Sequence, residues 1–149
     1  MKIRDVMSRQ VFVVSLDTTF RELWKIISKR HVNAIPVIDA NKKLVGIITR
    51  EDLLKSIYPD YKDFIDDFSS ASDFEHMEEK VKDLLTIRAK NLMSRRVIYT
   101  REETPVMRAL SRMIVRRVNQ LPVLNAKNAV VGVVTKGDVF YALFRKHMK

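Results

Sequence analysis

Cysteine is absent from the 149 residues, so disulfides and thiol chemistry are excluded and a reducing cytoplasm is the expected location. Long hydrophobic runs are also missing. The longest, residues 129–134 and 139–144, have six residues each, far fewer than the ~20 that a membrane-spanning helix needs. The first residues lead into no apolar stretch, so we expect no signal peptide and no membrane partner.

Histidine is scarce, and no catalytic or metal-binding constellation is visible. His31, His76 and His147 are scattered, without ligand spacing and without a cysteine to complete a site. We therefore predict no metal, no catalytic cofactor, no catalytic residues and no enzymatic activity.

The sequence does contain an internal duplication. Shifted by 86 residues without a gap, residues 3–54 align with residues 89–140, and 15 of the 52 pairs are identical. Composition alone would give roughly three or four identities. Two units of about 55 residues are too small to be comfortably stable alone, so we expect them to share a core about a pseudo-twofold axis.

The duplication divides the chain into three parts: repeat 1 (residues 1–54), a spacer (residues 55–88) and repeat 2 (residues 89–149). Apolar residues recur in the spacer at helical spacing, which predicts a helical insertion packed on the repeats, with a partner-binding arm as the alternative. These residues are Tyr58, Tyr61, Ile65 and Phe68, followed by Phe74, Met77, Val81, Leu84 and Leu85.

The net charge of +10 is unevenly distributed, with +4 in repeat 1, −4 in the spacer and +10 in repeat 2. A basic second repeat favours anionic partners such as nucleotide phosphates, nucleic acid or a membrane surface. Nothing in the sequence resembles a recognition helix, an RNP pair or a zinc finger, so nucleic-acid binding is supported by charge alone.

Each repeat has the pattern strand, helix, strand, strand, helix. In repeat 1, residues 11–14 form a short apolar run of strand type, and Thr19 and Glu22 have capping-box spacing at the start of a helix. In repeat 2, Thr104 is the expected cap and Pro105 the first helical residue. The pattern predicts an α/β (α+β) fold of two βαββα repeats with a helical insertion between them.

A Gly-x-x-Thr-x-x-Asp motif stands at the junction of the last strand and last helix of each repeat, with Thr49 and Asp52 in one and Thr135 and Asp138 in the other. One interpretation is an N-terminal cap that satisfies the free amides of the first helical turn. The other is a clamp, in which the carboxylate accepts hydrogen bonds from ribose and the helix start meets a phosphate. The two interpretations are compatible.

Basic residues accompany both motifs. His31 and Arg117 lie at equivalent positions before the proline of each repeat, and Arg50 and Lys136 lie inside the motifs. Solvated helix ends are the alternative interpretation, because the helix dipole favours cations near a C-terminus.

The whole chain resembles a tandem pair of CBS domains, a Bateman module. The resemblance covers about 115 residues, all but the spacer and the extreme C-terminus. It is carried by Asp5-Val6-Met7-Ser8, Ala34-Ile35-Pro36-Val37-Ile38-Asp39 and residues 44–53, and in repeat 2 by Asn91-Leu92-Met93-Ser94, Gln120-Leu121-Pro122-Val123-Leu124 and residues 131–139. It implies two clefts between the repeats, each suited to an adenosine-containing ligand.

The resemblance also implies residue roles. Asp52 and Asp138 would hold ribose, with Thr49 and Thr135 close to ribose or phosphate. The basic residues would reach phosphates: His31, Arg50, Arg117 and Lys136. The end of the first strand and the segment before the proline would line the base pocket: Val14, Ser15, Ala34, Ile35, Thr100, Arg101, Gln120 and Leu121.

The sequence therefore predicts a non-catalytic regulatory sensor that binds AMP, ADP or ATP, with S-adenosylmethionine or NAD as further candidates. Ligand binding would shift the shape or partner affinity of the module. Because no enzyme or channel domain is present in this chain, we expect a stand-alone module that acts on a separate protein. The resemblance also implies a homodimer. The alternatives are a basic nucleic-acid-binding module and a purely structural dimerisation module.

Overall fold

The computed structural model describes residues 1–57 and 71–148, and these residues form two compact units. The first-repeat unit contains residues 13–39, 45–57 and 71–95, and the second-repeat unit contains residues 1–12, 40–44 and 96–148. Neither unit therefore coincides with one repeat of the sequence. Part of the predicted spacer pattern, Tyr58, Tyr61, Ile65 and Phe68, lies outside the described residues.

Repeat 1 forms a three-stranded sheet in the order β1-β2-β3, with β1 parallel to β2. Its elements, with the helix of the spacer, are β1 (Val14–Ser15), α1 (Phe20–Arg30), β2 (Ala34–Ile38), β3 (Leu44–Thr49), α2 (Arg50–Ser56) and α3 (Ala71–Leu84). Thr19 caps α1 through the predicted box, in which Thr19 N lies 3.0 Å from Glu22 Oε2. The predicted order of strands and helices in this repeat is confirmed.

Repeat 2 has the same topology, in the order β4-β5-β6, with β4 parallel and β6 antiparallel to β5. Its elements are β4 (Thr100–Arg101), α4 (Val106–Arg116), β5 (Gln120–Leu124), β6 (Val130–Thr135) and α5 (Lys136–His147). The predicted α/β fold with two βαββα repeats is thus confirmed. None of the helices within the described ranges is both long and apolar enough to cross a membrane.

Two local predictions differ from the structure. The apolar run 11–14 contributes only Val14 to β1, and the strand ends at Ser15, whose N donates to Thr18 Oγ1 at 3.1 Å in the turn that follows. Helix α4 begins one residue later than expected. Pro105 rather than Thr104 is its cap residue, and because proline carries no hydroxyl the cap lacks a side-chain hydrogen bond.

Each unit has its own apolar core. The first-repeat unit buries Val14, Phe20, Leu23, Ile27, Ile35, Val37, Ile48, Leu53 and Ala89, and Leu84 and Leu85 of the spacer pack against this core. The second-repeat unit buries Ile3, Val106, Ala109, Leu110, Met113, Leu121, Val123, Val134 and Val139. Both lists combine residues from two separate stretches of sequence.

The opening segment of each repeat packs in the unit formed mainly by the other repeat. Ser8 of repeat 1 exchanges two backbone hydrogen bonds with Val133, both at 2.9 Å, and Ser94 of repeat 2 does the same with Ile47. Lys2 Nζ also donates to Glu103 at 2.6 Å, and this hydrogen bond is the main cause that lowers the pKa of Glu103. Each sheet is therefore extended by a residue from the opening segment of the other repeat.

Candidate functional site

The two Gly-x-x-Thr-x-x-Asp motifs adopt the same capping geometry. Asp52 Oδ2 accepts from Thr49 N at 2.8 Å, and Thr49 Oγ1 accepts from Asp52 N at 3.0 Å. In repeat 2, Asp138 Oδ2 accepts from Thr135 N at 2.9 Å, and Thr135 Oγ1 accepts from Asp138 N at 3.0 Å. The capping interpretation is thus confirmed for both helices.

Capping uses only one oxygen of each carboxylate. Asp52 and Asp138 are half-buried, and within the described part of the chain no donor is assigned to either Oδ1. An ionised carboxylate offers about four acceptor positions on its two oxygens. Each side chain can therefore cap its helix and accept a hydrogen bond from a ligand at the same time.

The start of the last helix is tied to the segment that precedes the middle strand. Arg50 N donates to Asn33 O at 2.9 Å, and Lys136 N donates to Asn119 O at 3.1 Å. The register of the second sheet also places Gln120 directly opposite Thr135. The motif and the segment before each proline, which are separate in the sequence, thus meet at one end of the sheet.

Within that segment, only some side chains are accessible. Ile35 and Leu121 are fully buried in the two cores, so their side chains are not available to a ligand. Ala34 and Gln120 are half-buried at the mouth of the same strand ends. A ligand beside the motif would therefore meet mostly backbone and small or polar side chains.

The predicted residues at the end of the first strand lie elsewhere. Thr100 pairs with Val123 and Arg101 with Leu124, so both stand at the far end of β5 from Gln120, about 10 Å away along the strand. Val14 and Ser15 pair with Val37 and Ile38 in the same way. The parallel register therefore does not bring these residues together with the motif.

The described pairing of β4 with β5 begins at Thr100. The same register extended backwards would place Ile98 beside Leu121 and Val97 beside Gln120, two residues that the sequence analysis did not name. On that register, the residues just before β4 would lie beside the start of β5, whereas Thr100 and Arg101 lie beside its end. From the sequence, these residues could have been found by assuming that the first and middle strands of each repeat pair in parallel.

His31 and Arg117 share an unusual backbone conformation. Both are exposed and follow the first helix of their repeat in the left-handed region, with φ of 53° and 56°. Glycine is the ordinary choice at this position, and a side chain there costs about 1–2 kcal/mol. Strain kept at both equivalent positions supports a role for these two side chains beyond the helix end.

The remaining basic candidates flank the same helix starts. Arg50 is the exposed first residue of α2, and Lys136 is the half-buried first residue of α5. Across the residues that the structure describes, no group of three or more metal-ligating side chains is present.

Comparison with known proteins gives the same architecture. The uncharacterized protein MJ1426 of Methanocaldococcus jannaschii is 28% identical over 154 residues, which cover 96% of this chain and 91% of that protein. The CBS domain pair of protein MJ0100, in complex with 5'-methylthioadenosine and S-adenosyl-L-methionine, has a TM-score of 0.72 at 25% identity, with 98% of both chains covered. CBSX2 in complex with AMP has a TM-score of 0.74 at 22% identity, also over 98% of both chains, which shows the shared fold.

The profile of the CBS domain matches residues 3–59 and 89–145, which together are most of the chain. CBS domains are normally non-catalytic, although they also occur within enzymes such as an inosine-5'-monophosphate dehydrogenase of M. jannaschii. The two matches, the two mixed three-stranded sheets and the twin capped motifs lead to one conclusion: this chain belongs to the CBS domain family and carries two copies of the domain.

Proposed function

We propose that the protein is a non-catalytic sensor that binds an adenosine-containing ligand beside Asp52 and beside Asp138. The observation that carries the proposal is that both carboxylates use Oδ2 for the cap and leave Oδ1 for a guest. The MJ0100 pair, which is 25% identical, holds two ligands built on adenosine, so a ribose is the part that its ligands share.

In this proposal the ribose hydroxyls donate to Oδ1, and the base lies against the backbone of the segment before each proline. His31 and Arg117 end the adjoining helices in a strained conformation, with their charged or polar ends free to meet an anion. The Arg117 guanidinium and the hydrogen-bonding His31 ring favour ligands with phosphates, namely AMP, ADP or ATP, over the neutral 5'-methylthioadenosine.

Changing each aspartate to asparagine separates the two tasks of the carboxylate. In Asp52→Asn and Asp138→Asn, the amide oxygen can still accept from the threonine amide, whereas the amide NH2 replaces the free acceptor. Each variant is expected to lose about 10- to 100-fold in affinity at one site, because a hydrogen bond to a charged group contributes about 1.5–3 kcal/mol. Calorimetric titration of ligand-free protein with AMP, ATP and S-adenosylmethionine measures this loss.

Asp83→Asn is the matched control, since Asp83 is an exposed aspartate of the spacer helix α3. It should leave both affinities unchanged, and all three variants should remain folded, which circular dichroism checks. Unaltered affinity in the Asp52→Asn/Asp138→Asn double variant would contradict the proposal and leave the two motifs as caps alone.

We also propose a homodimer, formed through the exposed apolar side chains of α4 and α5. These helices pack against each other and present Met107, Ile114, Val115, Phe140, Tyr141 and Phe144 to solvent. Exposed apolar side chains at this density mark an interaction surface, and a self-complementary patch is the simplest way for two identical chains to cover it. Sedimentation should give twice the chain mass, and a mass of 17.4 kDa at every concentration would contradict the dimer.

A further inference from the structure

A cavity of about 400 Å³ lies in the second-repeat unit, between the end of β4 and helix α4. This volume is within the range of small-molecule sites, roughly 300–1,000 Å³. Its lining consists of Tyr99, Thr100, Arg101, Thr104, Arg108, Ala109 and Arg112. None of the motif residues of repeat 2 is among them, so this cavity is separate from the proposed ribose site.

Three guanidinium groups and no carboxylate line this cavity. Arg101 is held in place by Asn125 O at 2.9 Å and Asn128 Oδ1 at 2.7 Å, and it lies over the Tyr99 ring at 5.6 Å. Positioned in this way, Arg101 is a fixed positive charge and not a freely moving surface side chain.

The other two arginines keep donors available. Arg112 uses Nη1 to donate to Tyr99 O at 2.5 Å, which leaves Nη2 and Nε for other partners. Arg108 is exposed, and within the described ranges its guanidinium contacts no acceptor. Clustering three like charges without a counter-ion is unfavourable unless an anion is bound there.

The internal duplication provides a comparison from the same chain. At the equivalent positions of repeat 1 stand Ser15, Glu22 and Ile26, where repeat 2 has Arg101, Arg108 and Arg112. The charge at these three positions therefore changes from −1 to +3. Nothing in the CBS fold itself requires this change, because both repeats build the same sheet and helices.

The duplication also shows where the space comes from. Leu23 is fully buried in repeat 1, and its equivalent in repeat 2 is the much smaller Ala109, which lines the cavity. Glu22 closes the capping box of α1 with Thr19, whereas α4 has Pro105 and Arg108 at the equivalent positions and no side-chain cap. Compared with repeat 1, repeat 2 therefore lacks a helix cap and has a smaller core side chain at the place where it has three additional arginines.

From these observations we infer that this cavity, the arginine cavity, binds a small phosphorylated molecule through one or two phosphoryl groups. Arginine forks match phosphate oxygens with paired hydrogen bonds, and the Thr104 hydroxyl adds a neutral donor. The Tyr99 ring supplies an apolar surface for the remainder of the molecule. The motif residues of repeat 2 do not line this site, and its three arginines have no basic counterparts in repeat 1.

Calorimetric titration of the full chain with pyrophosphate and with inorganic phosphate, at constant ionic strength, tests the inference. Pyrophosphate should bind saturably, and Arg108→Glu, which installs the residue of repeat 1, should weaken that binding at least about tenfold. Because Arg108 makes no side-chain contact, this variant should fold as the parent does, which circular dichroism checks. A stronger effect for pyrophosphate than for phosphate would show that two phosphoryl groups are engaged.

Arg96→Glu is the matched control, since Arg96 is an exposed arginine of the same unit that does not line the cavity. No saturable binding of either anion, or equal weakening in Arg96→Glu and Arg108→Glu, would overturn the inference. Two further measurements distinguish the arginine cavity from the adenosine sites. Pyrophosphate binding should survive in Asp138→Asn, and binding of the phosphate-free 5'-methylthioadenosine should survive in Arg108→Glu. Loss of pyrophosphate binding in Asp138→Asn alone would assign the anion to the ribose site instead.

Discussion

Ile3→Ala is expected to lower the free energy of unfolding by about 3 kcal/mol, within the range of about 2–5 kcal/mol for such truncations in a core. Ile3 is fully buried, and it lies in one core cluster with Leu121 and Val134, more than 100 residues away. Backbone hydrogen bonds fix its position: Ile3 N donates to Thr104 O at 2.9 Å. Neighbouring strands and a helix therefore cannot collapse into the space that the shorter side chain leaves.

Urea unfolding followed by circular dichroism gives the size of this effect. Met148→Ala removes apolar volume at an exposed position near the other end of the chain and should change stability by no more than about 0.5 kcal/mol. If Ile3→Ala cost as little as Met148→Ala, the opening segment would not be part of the core of the second-repeat unit.

Gly132→Ala is expected to destabilise the protein by about 2–3 kcal/mol, as overpacking does in well-packed interiors. A Cβ on Gly132 would lie 2.6 Å from the carbonyl oxygen of Ser8 and 3.0 Å from Met7 Sδ. The Ser8 oxygen belongs to the backbone and accepts from Val133 N at 2.9 Å, so it cannot swing away as a side chain would. Alanine must push the opening segment off β6 and weaken both hydrogen bonds.

Gly137→Ala provides the control on the same chain. Gly137 lies in the first turn of α5, where a Cβ would have Thr135 Oγ1 as its nearest neighbour, at an ordinary 3.6 Å. This substitution should stabilise the protein by up to about 1 kcal/mol, because alanine favours a helix over glycine. Opposite signs for the two glycines, measured as shifts of the thermal midpoint, are the expected result. Equal effects would contradict the close contact at Gly132.

Features that depend on short stretches of sequence could be predicted. Thr49 with Asp52 and Thr19 with Glu22 form capping boxes because their spacing of three residues is enough to specify the geometry. The duplicated apolar strands likewise indicate a sheet covered on both faces, and each sheet has its middle strand buried.

Features that depend on how distant segments pair could not be predicted from the sequence. The pattern of repeat 1 gives no reason for Ser8 to pair with Val133, because each repeat reads as a complete unit. The parallel register that takes Arg101 away from Gln120 depends on which residues of β4 and β5 face each other. In the sequence, Arg108 and Arg112 are only part of a general basic excess and Arg101 is a base-pocket candidate, whereas the fold places all three around one cavity.

The crossed opening segments have a consequence for how such a protein could arise. A single repeat on its own lacks the stretch that pairs with β3 or β6, since residues 1–9 and 89–95 each serve the other half. An ancestral chain with one repeat would have had to obtain that stretch from a sister molecule, so swapping between identical chains would precede gene fusion. After fusion, deletion of either half removes the opening segment that pairs with the sheet of the other half.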